Sequence, residues 1–186
     1  MFIVRADALK KVLRKTKIVG GGRDENTAEH SWHLILMALS LARYANGPID
    51  VNRVVKMLAL HDLGEIGVGD VPLYDPARSQ VQAEEEEFVK ELFSTLPREL
   101  EKEFLDLWME FAAGQTLEAR FARAMDRFQP FLNNLENNGS SWAELKITKE
   151  MALDKNKSIQ EGSDTLWQLY RILAGKADAQ GMFWQT

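Results

Sequence analysis

Asp50-Val51-Asn52-Arg53-Val54-Val55-Lys56-Met57-Leu58-Ala59-Leu60-His61-Asp62-Leu63-Gly64-Glu65-Ile66-Gly67-Val68-Gly69 is the stretch that sets the fold class. Its apolar residues from Val54 to Leu60 recur at the three- and four-residue spacing of one helical face. Asp50 stands where a helix N-cap belongs, and Gly67 and Gly69 dissolve the helix. Its last turn then holds His61, Asp62 and Glu65. Ionisable side chains after so apolar a run are costly to bury unless they are paired or bound to metal. Glu65 shares the face of His61 and Asp62 and is placed to act there as acid or base. The plainer alternative, a solvated glutamate in a final turn, is disfavoured by the helix dipole.

The same helical period runs through almost all of the chain, and no stretch alternates apolar and polar residues long enough to require a strand. The expected class is all-α, a compact helical bundle. A first helix is expected from Asp7 to Lys15, ended by the glycines Gly20 to Gly22. A second starts at Asn26, whose side chain can cap while Glu29 reaches back, and runs to about Ala45. A loop through Pro72 and Pro76 leads to a polar helix with Glu84 to Glu87. Another has Pro97 near its first turn and ends at Gly114. Thr116 caps a long helix to about Asn138, and further helices follow from Thr148 and after Gly162-Ser163.

The 186 residues are 45% hydrophobic and 27% charged, ordinary values for a globular domain. One domain over 1–186 is expected, with a motif core at about 26–130 and C-terminal helices at about 148–180 packed on it. The net charge of −5 makes a nucleic-acid polymer a poor partner. Cysteine is absent, so any chemistry must come from His, carboxylates, hydroxyls or amines. The N-terminal residues lack a signal-peptide layout and no apolar run reaches membrane-span length, so a cytoplasmic location and no membrane partner are expected.

Two further histidines, His30 and His33, lie three apart in the first turns of one helix, and either could be a ligand. Asp126 sits among Phe121, Ala122, Met125 and Phe128, where a structural aspartate would pair with Arg123 or Arg127.

Three separated blocks resemble the HD-domain phosphohydrolases, and most nearly their 5'-deoxynucleotidase and oxetanocin-resistance-like branch. These are Arg23-Asp24-Glu25-Asn26-Thr27-Ala28-Glu29-His30-Ser31-Trp32, His61-Asp62-Leu63-Gly64-Glu65 with Gly69-Asp70-Val71-Pro72, and Ala124-Met125-Asp126-Arg127-Phe128. Trp108-x-Glu110, Thr116-Leu117-Glu118-Ala119 and Glu161-Gly162-Ser163 are further echoes.

The resemblance implies a metal held by His30, His61, Asp62 and Asp126, with His33 outside the ligand set. It implies Glu65 as catalytic acid or base and Asp70 as a contact to a nucleotide sugar. The branch's Arg-Trp pair falls here on Arg14-Lys15-Thr16-Lys17, where the tryptophan is missing, and Lys15 and Arg23 are the candidate phosphate contacts. Arg23 is equally suited to a loop salt bridge. Two imidazoles and two carboxylates suit one Mn, Co, Fe, Ni or Zn ion better than Mg or Ca.

The implied activity is release of phosphate from (deoxy)nucleoside 5'-monophosphates by metal-activated water, by a chain able to form a homodimer. The alternatives are a pyrophosphohydrolase, a cyclic-nucleotide phosphodiesterase, a di-iron oxygenase, or a non-catalytic protein that retains the metal.

Overall fold

A computed structural model describes residues 1–71 and 78–185, with no account of side chains 78–80. The expected loop through Pro72 and Pro76 lies outside the described residues. Helices α1 (Phe2–Ala6), α2 (Thr27–Leu41), α3 (Val51–Leu60), α4 (Glu65–Val68), α5 (Arg78–Phe93), α6 (Arg98–Ala113) and α7 (Leu117–Glu136) follow in chain order. The C-terminal part adds α8 (Ser140–Glu144), α9 (Lys149–Lys155), α10 (Ile159–Gly162) and α11 (Asp164–Ala179). The all-α class holds, and among the described residues no helix is long and apolar enough to cross a membrane.

One region departs from expectation. Asp7–Lys11 is a 3-10 turn, and Leu13–Lys17 is a strand, β1, paired antiparallel with β2 (Asp24–Asn26). The expected helix Asp7 to Lys15 is therefore corrected to a turn and a short hairpin. Leu13 and Lys15 face out while Arg14 and Thr16 turn inward. Both faces are polar, so the two-residue period is invisible to a hydrophobic pattern.

Elsewhere the caps hold and the ends shift. Asn26 and Glu29 form the expected capping box, each side chain accepting from the other's backbone N–H at 3.0 and 3.2 Å. Asp50 caps α3, Thr116 caps α7 and Gly114 closes α6 in the left-handed conformation. Each such N-cap contributes about 1 kcal/mol. α2 ends at Leu41 and a 3-10 turn, Ala42–Tyr44, carries the chain to Ala45. The single helix expected from Thr148 is two, α9 and α10, and α8 was not foreseen.

The buried core joins α2, α3 and α7 through Leu34, Ala38, Val54, Met57, Leu58, Phe121, Ala122 and Met125. Burial of each large apolar side chain supplies about 1.5–3 kcal/mol. Gly162 brings α10 directly onto α7, since a Cβ there would lie 2.4 Å from the Arg120 carbonyl oxygen. Pro130 lies inside α7 and cannot donate to the carbonyl of Asp126 one turn earlier. The core thus fixes α3 and α7 side by side and sets the end of α3 against the middle of α7.

Candidate metal centre

α3 stops one residue before the sequence pattern turns polar. His61 is its C-cap, Asp62 and Leu63 form a tight turn, and Glu65 opens α4. The expectation that all three occupy the last turn of one helix is corrected accordingly. Gly64 permits this turn to press against α5, where a Cβ would sit 2.7 Å from that of Glu85.

His61 is buried, with Nδ1 3.0 Å from the Leu58 carbonyl oxygen. A carbonyl only accepts, so Nδ1 donates and Nε2 of the neutral ring carries a lone pair. That Nε2 is buried without a hydrogen-bond partner, although Asp62 Oδ2 is 3.1 Å away. The Trp108 indole N–H donates to the His61 carbonyl at 3.0 Å, and the Phe111 ring lies against the imidazole at 4.8 Å between centroids.

His30 is fully buried on the first turn of α2 and is oriented by a longer chain of groups. Its Nδ1 meets Gln129 Oε1 at 2.9 Å, and Gln129 Nε2 donates to Glu25 Oε1 at 2.7 Å. The carboxylate only accepts, which fixes the Gln129 amide and makes His30 Nδ1 the donor. Asn133 Nδ2 donates to the same Glu25 oxygen at 3.2 Å. His30 Nε2 then points at Asp126 Oδ1, 3.1 Å away, and at Asp62 Oδ2, 3.8 Å away.

The arrangement fits a cation. With both rings neutral, as metal binding requires, two imidazole nitrogens turn lone pairs toward carboxylate oxygens, an all-acceptor set that a cation would satisfy. One ligand atom each from His30, His61 and Asp62 lies within 4.8 Å of the others. Asp126 Oδ1 joins them at 3.1 Å from His30 Nε2 and 3.9 Å from His61 Nε2. Donors bound about 2.0–2.2 Å from one ion stand about 3–3.5 Å apart, close to these spacings. The protein thus contains a buried His-His-Asp cluster able to hold a metal.

The charges around the cluster move with this geometry. Burial and the repulsion of Arg14 oppose a proton on His30, but Asp126, Glu25 and Asp62 prevail and push it up to about 9. Asp62 is brought down to about 2: burial works against the charge, and His61 and Arg14 outweigh it. Asp126 is likewise held well below the carboxylate range by His30 and Arg127, against the effect of burial. Glu65 moves the other way, to about 9, driven by burial and the neighbouring Asp62. Thr27 Oγ1 donates to Glu65 Oε2 at 2.9 Å.

Arg14 is the residue that sequence reasoning passed over in favour of Lys15. From β1 its guanidinium reaches Glu25, Asp62, Glu65 and Asp70 at 3.3–4.0 Å. Burial would lower its pKa, but Asp62, Asp70 and Glu65 hold it above its usual value, so it stays charged. Asp70 shares the cavity with Arg14. Lys15 is exposed at its rim. Arg23 is not brought to the cluster: exposed, it forms a two-pronged pair with Glu29 at 2.7 and 2.8 Å. His33 is not among the clustered ligands, and its Nδ1 faces Gln129 Nε2 at 3.2 Å.

Gln129 and Asn133 were also missed, although a signal existed. With Asp126 they fall at i, i+3 and i+7, a polar line on a face of α7 otherwise apolar.

A helical fold with this His, His-Asp, Asp order defines a class, and the sequence matches the HD domain family over residues 6–167. The chain belongs to the HD domain family. It is 30% identical over 115 residues to a 5'-deoxynucleotidase of Bos taurus, covering 61% of this chain and 55% of that protein. It is 30% identical over 134 residues to a 5'-deoxynucleotidase of Dictyostelium discoideum, covering 68% and 70%. The chain thus spans only about half the length of some curated relatives it matches. The crystal structure of a predicted metal-dependent phosphohydrolase from Magnetospirillum magnetotacticum superposes with a TM-score of 0.95 at 38% identity, covering 99% of this chain and 93% of that one.

Proposed function

We propose that the chain is a metal-dependent phosphomonoesterase acting on (deoxy)nucleoside 5'-monophosphates. The observation that carries this is the pair of imidazole lone pairs, His30 Nε2 and His61 Nε2, turned toward Asp62 and Asp126 beside a buried arginine. The 5'-deoxynucleotidase relatives supply the nucleotide class.

His30, His61, Asp62 and Asp126 would hold one Mn, Co, Fe, Ni or Zn ion. Such an ion polarises a phosphoryl oxygen and makes hydroxide available from water near neutral pH. Arg14 offers a planar, permanently charged fork to the phosphate oxygens, a geometry an amine at Lys15 cannot match. Glu65, held by Thr27, orients the water or exchanges a proton with it or with the leaving oxygen. Asp70 accepts from a sugar hydroxyl at the same cavity.

A panel of nucleoside monophosphates, cyclic nucleotides and nucleoside diphosphates, assayed with Mn, Co, Mg and Zn in turn, tests the reading. Release of inorganic phosphate from monophosphates, lost on chelation, is expected. Turnover of cyclic nucleotides or diphosphates alone, or of nothing, overturns it.

A further inference from the structure

Arg14 reaches the metal cluster from a strand that cannot hold itself. β1 and β2 form the one sheet among the described residues, and a hairpin of two short strands is marginal in water. Its tip contains Gly20, Gly21 and Gly22, all at φ between 74° and 87°. Glycine loses the most backbone freedom on ordering, so this tip lends the hairpin no stiffness. β2 is tied down, since Glu25 accepts from Gln129 and Asn133 of α7 and Asn26 caps α2. β1 is bonded at its ends, Thr27 N donating to the Val12 carbonyl at 3.0 Å and Ile18 N to the Arg23 carbonyl at 3.3 Å. Between Leu13 and Lys17, however, its pairing with β2 shifts register, and Arg14 lies inside that irregular stretch.

A second set of contacts reaches β1 from α7 and α8. Ser141 Oγ donates to the Lys15 carbonyl at 3.0 Å, and Asn137 Nδ2 donates to the Ile18 carbonyl at 2.8 Å. Side chains here satisfy backbone oxygens that a further strand would take in a larger sheet. Ser141 is buried and is itself fixed: its N–H donates to Asn134 Oδ1, and Asn134 Nδ2 donates to the Pro130 carbonyl, both at 3.0 Å. Pro130 stands one turn after Asp126 on α7. A continuous path therefore runs from the helix of Asp126, through Asn134 and Ser141, to the residue beside Arg14. Lys17 also pairs with Glu144 at 2.5 Å, but Glu144 is exposed and such a pair adds little.

We propose that Ser141 and Asn137 are positioning residues: by holding the backbone of β1 they keep the Arg14 guanidinium where a phosphate oxygen meets it beside the metal cluster. The inference rests on the phosphomonoesterase reading and deepens it, naming residues outside the cluster on which phosphate affinity depends. Both act through Arg14. An arginine on phosphate oxygens serves the bound substrate and the transition state alike, so loosening it weakens both to the same degree. KM then rises while kcat is kept.

The test uses Ser141→Ala and Asn137→Ala, alone and combined with Arg14→Ala, with deoxyadenosine 5'-monophosphate as substrate, inorganic phosphate as competitive inhibitor and Mn present. Asn137 is only half-buried, so its truncation spares the fold if Ser141→Ala does not. Each single variant should raise KM and the phosphate Ki about fivefold, the worth of one ordinary hydrogen bond, with kcat changed by less than about twofold. Combined with Arg14→Ala, the same substitutions should change kcat/KM by less than about twofold, because the residue they act through is gone. A merely structural role would instead give the full loss in both backgrounds. That result, or a fall in kcat at constant KM, overturns the assignment.

Amide hydrogen exchange over residues 13–18, measured without phosphate, separates this from failure of the phosphatase reading. Either variant should speed exchange there about fivefold. Unchanged exchange overturns the hold on β1 even if phosphate is released from the substrate. Faster exchange in a protein that hydrolyses no monophosphate and binds no inorganic phosphate overturns the phosphomonoesterase reading, and the phosphate role of Ser141 and Asn137 with it.

Discussion

The two histidines of the cluster are held by unlike means. His61 donates to a carbonyl three residues back in its own helix, so its orientation is set by local backbone. His30 is fixed through Gln129 to Glu25 and Asn133, and these arrive from α7 and from β2. One half of the site forms with a helix end, and the other forms only when distant elements dock. Thr27 on the His30 half bonds Glu65 on the His61 half, so Glu65 sits where the two meet.

The largest expected effect lies at that junction. Glu65→Gln keeps the volume and a partner for Thr27 while removing proton transfer. Metal content by elemental analysis should be unchanged, and kcat should fall by about 10²- to 10⁴-fold. Full activity in this variant would remove Glu65 from the chemistry.

The contrast itself is tested next. Gln129→Ala leaves His30 Nδ1 without its acceptor and should weaken metal affinity by about 10- to 100-fold. Phe111→Leu, which alters only packing against His61, should change it far less, because the Leu58 carbonyl still orients that ring. Equal losses in competition titrations with a metallochromic chelator would erase the distinction between the halves.

A pH effect follows from the charged partners. In the chelated protein His30 and Glu65 both hold a proton up to about 9, above their usual values near 6.5 and 4.5. The folded state then binds more protons than the unfolded state, so stability is lost as pH rises, between about 4.5 and 9 for Glu65 and 6.5 and 9 for His30. Thermal unfolding of the chelated protein should move to lower temperature from pH 6.5 to 9, and added Mn or Zn should flatten the slope. A melting temperature that rises with pH in the chelated protein would contradict this charge arrangement.

The same division explains what could be read from sequence. The half built on local structure was legible: the Asp50 cap, the apolar face of α3 and the polar residues at its end all leave periodic traces. His30 over His33, and Asp126, were separable only by family resemblance. The structure supplies the reason in Gln129, which takes His30 Nδ1 on one side and His33 on the other. Arg14 was hidden because β1 is polar on both faces, and a strand without apolar alternation looks like the end of a helix. Glu25 was hidden because it precedes a strong capping box and is easily taken for a surface residue. The five-residue α8 carries too few turns for a period to register, and the break between α9 and α10 leaves no mark in the helix expected from Thr148.

Arg23 marks the smallest effect and the sharpest limit of motif reading. It stands in the motif that also carries His30, yet its guanidinium is spent on Glu29, the residue that closes the capping box of α2. Both partners are well exposed, so the pair is screened by solvent and contributes little to folding. Arg23→Ala should therefore change kcat/KM by less than about twofold, since an exposed pair of this kind carries little energy. Arg14→Lys keeps the charge but loses the fork that faces Asp62 and Asp70, and should cost activity well beyond that. If the two losses came out in the reverse order, phosphate would be met at the entrance to α2 rather than from β1.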